Sequence, residues 1–140
     1  MGKTVLAFGT FDFLHAGHIS YLSQAKALGE RLVVVIATDA NVKRIKGRRP
    51  VNSQEARKAL VEALKIVDEA IIGFEDDMIK SVEKVRPDIV CLGYDQRPDD
   101  EGLARTFRER GIKAQVVRLK PYRQDIYKSS KIKERVPGGK

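Results

Sequence analysis

The sequence has no tryptophan, one cysteine and two histidines, and only 6% of its 140 residues are aromatic. A lone cysteine cannot form an internal disulfide, which excludes a disulfide-stapled scaffold and makes a reducing compartment, the cytoplasm, the expected location. No apolar run approaches membrane-spanning length, and the stretch Met1 to Gly9 is too short and too polar to act as a signal peptide. The five phenylalanines and four tyrosines are scattered and do not interleave with basic residues. A stacking platform for single-stranded nucleic acid is therefore not expected. Internal repeats and low-complexity segments are also missing.

What is present is ordinary globular material, with 42% hydrophobic and 33% charged residues. The length suits a single domain, taken as residues 1–136, followed by a flexible tail at 137–140. With 27 basic against 19 acidic residues the net charge is +8, which favours anionic partners, either phosphorylated small molecules or nucleic acid.

Both histidines fall in one stretch, GTFDFLHAGH, from Gly9 to His18. Before it, Val5 to Phe8 reads as a buried strand. After it, Ile19, Leu22, Ala25 and Leu28 recur at helical spacing. A helix N-terminus carries unpaired N–H groups and partial positive charge, and so receives anions. Gly9 and Gly17 allow close backbone approach, and Thr10 adds a hydroxyl. His15 falls in the loop and His18 in the first helical turn, where their side chains can converge on one ligand. The stretch is neither a Walker loop nor a GxGxxG fingerprint. As a zinc site it lacks further ligands, since Cys91 is remote in sequence.

The rest of the chain alternates strands and helices. Gly29 reads as a helix stop, and Arg31 to Ala37 as a central strand apolar on both faces. A polar loop is expected over 40–52, then a helix capped by Asn52 with an apolar face of Ala56, Leu60, Ala63, Leu64 and Val67. Further strands are read at 70–73, 89–92 and 114–119, with helices at 76–85 and around Leu103 and Phe107. This order predicts an α/β fold: one Rossmann-like domain with a five-stranded parallel sheet and helices on both faces. In such sheets ligands sit beyond the carboxyl ends of the strands. The histidine stretch, Thr38-Asp39, the Gly93–Gln96 turn and the segment 120–130 all follow strand ends.

GTFDxxHxGH resembles the nucleotidyltransferase family that includes glycerol-phosphate and phosphocholine cytidylyltransferases and the archaeal FAD synthases. Asp95-Gln96 after the fourth strand, and Lys120-Pro121-Tyr122 with Lys128-Ser129-Ser130 near the end, resemble the archaeal FAD synthases more than the cytidylyltransferases. The resemblance implies transfer of AMP from ATP to FMN with release of pyrophosphate, by direct in-line attack and with Mg²⁺ carried by ATP. The alternative is a cytidylyltransferase that uses CTP and a phosphoalcohol such as glycerol phosphate. A non-enzymatic nucleotide-binding module leaves both histidines idle.

On this resemblance His15, His18 and Lys46 are the catalytic residues. Gly9, Thr10, Phe11, Gly17, Asp95, Tyr122, Ser129 and Ser130 join the histidines in nucleotide binding. Lys43, Arg57 and Asp39 are candidates for a substrate phosphate. Arg57 opens a helix, where the dipole disfavours a cation, so an acceptor partner is expected, either a substrate phosphate or an ordinary ion pair. For Asp39 the commoner role is that of a turn aspartate capping its own backbone. ATP and FMN are the expected partners, without nucleic acid or membrane, and the resemblance allows a homodimer. Pattern alone does not locate the walls of a flavin pocket.

Overall fold

A computed structural model describes residues 2–93 and 100–121. Five strands, β1 (Thr4–Gly9), β2 (Arg31–Ile36), β3 (Glu69–Ile72), β4 (Ile89–Leu92) and β5 (Gln115–Arg118), form one sheet. Every neighbouring pair is parallel, and the order is β3-β2-β1-β4-β5. The order reverses between β1 and β4. That gap is the topological switch point, where a ligand crevice opens beyond the strand ends.

Alternation along the strands builds two cores. Val5 and Ala7 of β1, with Leu32, Val34 and Ile36 of β2, face α1 (Ala16–Lys26) and, beyond α2 (Asp39–Lys46), α3 (Gln54–Glu62), whose Leu22, Ala25 and Val61 they meet. Leu6, Val33 and Val35 point to the other face. They pack there on Ile79 and Val82 of α4 (Ile79–Val85) and on Leu103 and Phe107 of α5 (Asp100–Glu109). Helices thus cover both faces, as a parallel sheet requires.

Four local expectations are corrected. Residues 40–52 are not all loop, since α2 occupies Asp39–Lys46. Thr38 caps it by accepting the Asn41 N–H at 3.1 Å, and Gly47 ends it in the left-handed region at φ 81°. Its charges hide the helix from a search for apolar periodicity, because Val42 is its only buried residue. Ser53, not Asn52, caps α3, by accepting the Ala56 N–H at 3.2 Å.

The inward face of α3 is Arg57 and Val61, while Leu60 is exposed. Leu64 and Val67, just beyond the helix, reach the core as expected, whereas the fully buried Arg57, outside the expected face, points inward with Val61. Lastly, α1 ends at Lys26, before Gly29. Gly29 is needed for a close approach instead, because a Cβ there would lie 2.5 Å from the Lys3 carbonyl oxygen.

Candidate active site

The site begins where β1 ends. A Cβ on Gly9 would lie 2.4 Å from the Phe11 ring, so only glycine lets that ring fold back over the strand end. Phe11 has φ 53° and is buried in the core. Its ring is turned into the core and not towards the rim. It supports the histidines instead, edge-on to His18 at 5.3 Å between centroids and stacked on Tyr21 at 6.4 Å.

His15 is the N-cap of α1, and its Nδ1 accepts the Gly17 N–H at 3.0 Å. An accepting Nδ1 carries no proton, so neutral His15 holds its hydrogen on Nε2 and can donate it to a ligand. The His15 and His18 rings lie 4.0 Å apart between centroids, at 28° to each other. Burial pushes the His15 pKa below its ordinary value. Burial, then the charges of His15 and of Lys46, push His18 down to about 4, while the Phe13 backbone acts in the opposite direction. Both shifts favour the neutral imidazole at pH 7. Among the described residues the buried His18 Nδ1 meets no hydrogen bond of ordinary geometry, and the Phe13 backbone is the group near enough to favour its protonated form. The influence of Lys46 on His18 puts the end of α2 within electrostatic reach of the pair.

Two further groups hold the loops around this pair. The Asp12 carboxylate accepts the backbone N–H groups of Val51 and Asn52, both at 2.8 Å, and the Asn52 amide donates back to the Asp12 carbonyl at 2.7 Å. Burial acts to raise the Asp12 pKa, but these Asn52 and Val51 hydrogen bonds hold it below its ordinary value. Asp12 thereby joins the histidine loop to the connection between α2 and α3.

Arg57 is fully buried. Its guanidinium donates to the carbonyls of Asn52 (3.0 Å), Thr10 (2.9 Å) and Ala37 (2.8 Å) and to the Asp39 carboxylate (2.7 Å). Of the two partners expected for Arg57, a substrate phosphate or an ion pair, the structure shows the ion pair, with Asp39. Each is engaged with the other, and Arg57 has no exposed surface.

Tyr21 went unnoticed in the sequence. Its hydroxyl donates to the Phe8 carbonyl at 3.0 Å, approaches the Cys91 carbonyl at 3.4 Å and accepts the Phe8 N–H at 3.2 Å. The β1–β4 pairing ends at Ala7 and Cys91, so Tyr21 satisfies backbone groups freed where the two strands part. Gln24 exchanges two hydrogen bonds with the backbone of Lys120, at 3.0 and 3.1 Å, and ties the chain beyond β5 to α1.

Thr10 and Gly17 lie in the turn and first helical turn as expected, and Lys43 and Arg44 are exposed on α2. Asp95, Tyr122, Ser129 and Ser130 lie outside the described residues, as does the tail at 137–140. Among the described residues no helix is long and apolar enough to cross a membrane.

Two imidazoles and a helix start beside the switch point of a doubly wound sheet make a site suited to the phosphates of a nucleotide. The chain belongs to the cytidylyltransferase-like family, whose family model matches residues 6–135. It is 48% identical over 135 residues to a FAD synthase of Ferroglobus placidus, covering 96% of this chain and 88% of that one. A FAD synthase of Aciduliprofundum boonei is 51% identical over 118 residues, covering 84% and 78%. Among solved structures, one described as the lipopolysaccharide core biosynthesis protein of Thermoplasma volcanium is 45% identical with a TM-score of 0.83, covering 87% of this chain and 99% of that one.

Proposed function

We propose that the protein is an FAD synthase, an FMN adenylyltransferase. A phosphate oxygen of FMN attacks the α-phosphorus of ATP, the new O–P bond forms as the bond to the β-phosphate oxygen breaks, and pyrophosphate leaves. The observation that carries this reading is the 42–51% identity to FAD synthases over most of both chains. The geometry supplies a mechanism. In-line transfer needs no protein nucleophile; it needs alignment and donors where negative charge develops. His15 donates through Nε2, His18 stands against it, and the start of α1 adds N–H groups and its dipole. Lys46 brings a cation to the same place.

The described rim carboxylates do not suit direct metal binding. Asp12 is taken up by Val51 and Asn52, and Asp39 by Arg57. A divalent ion carried by the triphosphate would neutralise phosphate charge there. Asp95, Tyr122, Ser129 and Ser130 complete the nucleotide contacts in this reading. The enzyme works in the cytoplasm, singly or as a homodimer, without nucleic acid or membrane.

The test is pyrophosphate release with ATP plus FMN against CTP plus glycerol phosphate, each with Mg²⁺. FAD formed only in the first mixture supports the reading. Turnover confined to CTP would replace it with the cytidylyltransferase alternative.

A further inference from the structure

Beside the paired histidines lies an exposed apolar edge that the phosphate chemistry leaves unused. Phe13 is 42% exposed and Val51 74% exposed. Asp12 fixes them relative to each other. Its carboxylate holds the Val51 N–H at 2.8 Å, and the peptide leading into Phe13 accepts the Asn52 amide at 2.7 Å. Ile45, 76% exposed, precedes Lys46 at the end of α2, and the exposed Arg48 and Arg49 link that helix to Val51. Apolar surface and cations thus alternate along one short connector that reaches the histidines through Lys46 and Phe13.

We propose that this edge is the acceptor subsite, with the isoalloxazine ring of FMN lying on Phe13 and Val51 and its phosphate directed towards Lys46. The assignment rests on the FMN reading above and goes beyond it by locating the ring. A planar, largely apolar heterocycle that ends in a phosphate dianion requires an uncovered apolar surface with cations at one end, and this connector supplies both. A second copy of the chain is a poor occupant. It would set Lys43, Arg44, Lys46, Arg48 and Arg49 against their own like charges. The edge also adjoins the histidine pair, through Phe13, whose backbone acts on His18.

The experiment compares the wild-type enzyme with Val51→Glu and Phe13→Ser, using ATP, FMN and riboflavin as probes. An exposed Val51 has little packing to lose, so melting temperature serves as the folding control. In Val51→Glu the KM for FMN is expected to rise about tenfold or more, since a carboxylate meets both the ring and the phosphate dianion, while the KM for ATP stays within about twofold. Riboflavin, which keeps the ring without the phosphate, is expected to compete with FMN in wild type and to lose that effect in both variants. An unchanged FMN KM and unchanged riboflavin inhibition in correctly folded variants overturn the subsite alone. Failure of the wild type to make FAD overturns the functional reading beneath it, and the subsite with it.

Discussion

Arg57 gives the sharpest discrimination between two roles for one residue. Its side chain is wholly buried and meets four acceptors, the carbonyls of Asn52, Thr10 and Ala37 and the carboxylate of Asp39. Removing one partner of a buried pair costs about 3–5 kcal/mol, because the groups left behind lose a charged donor in a place water does not reach. The lower end applies here, since the Asp39 side chain keeps 28% of its exposure and can be rehydrated. Arg57→Ala should therefore lose about 3 kcal/mol. For a domain of this size that lowers Tm by about 10 °C.

Arg57→Lys keeps the charge but not the planar fork, so it satisfies fewer of the four acceptors and should lose about 1–2 kcal/mol. Thermal and urea melts of both variants measure this. An Arg57→Lys protein that melts with wild type while its KM for FMN or ATP rises more than tenfold would return Arg57 to the substrate. Asp39→Asn gives an independent check, since a neutral amide weakens one of the four contacts without opening a cavity.

Three further outcomes are expected. His18→Ala should lower turnover about a hundredfold or more in a protein that still folds, measured as pyrophosphate release; intact turnover would remove His18 from the chemistry. Acid should destabilise the protein: the His18 pKa falls from 6.5 unfolded to about 4 folded, so the unfolded chain binds the extra proton and stability declines as pH drops through that window. The loss by pH 4 is about 1–3 kcal/mol, Asp12 adds its own only below its ordinary 3.8, and a His18→Asn variant with the same decline between pH 7 and pH 4.5 would contradict the assignment. Tyr21→Phe should cost about 1–3 kcal/mol in urea unfolding by stripping Phe8 and Cys91 of their shared hydroxyl, and a loss below about 0.3 kcal/mol would mean that water replaces it.

The fold was legible because a parallel sheet writes itself plainly. Strands buried on both faces read as unbroken apolar runs, such as Leu32 to Ile36, and the histidine stretch announces the turn after β1. The parts that escaped share one cause: they depend on acceptors that meet only in three dimensions. Arg57 looked like a cation misplaced at a helix start because Thr10, Ala37 and Asp39 come from other elements. Phe11 looked like a loop aromatic beside a ligand, since nothing local shows that Gly9 leaves room for its ring. Tyr21 sat one position before Leu22 in an apolar pattern, and its hydroxyl acquires meaning only where β1 and β4 separate. Helix α2 was missed for a different reason, because its stability comes from Thr38, Gly47 and charges matched to the dipole rather than from an apolar stripe.

These hidden contacts bear directly on the chemistry. Arg57 holds the backbone at Thr10, Asp12 holds the connector at Val51 and Asn52, and Phe11 carries the His18 ring, so the two imidazoles face each other before any ligand arrives. Preorganised donors need no rearrangement as charge develops on a transferring phosphoryl group, which is where such donors are most effective. Burial holds both rings towards the neutral form, and for His18 the charges of His15 and Lys46 act in the same direction. A bound triphosphate reverses the sign of that field, since its oxygens favour the protonated imidazole that burial disfavours.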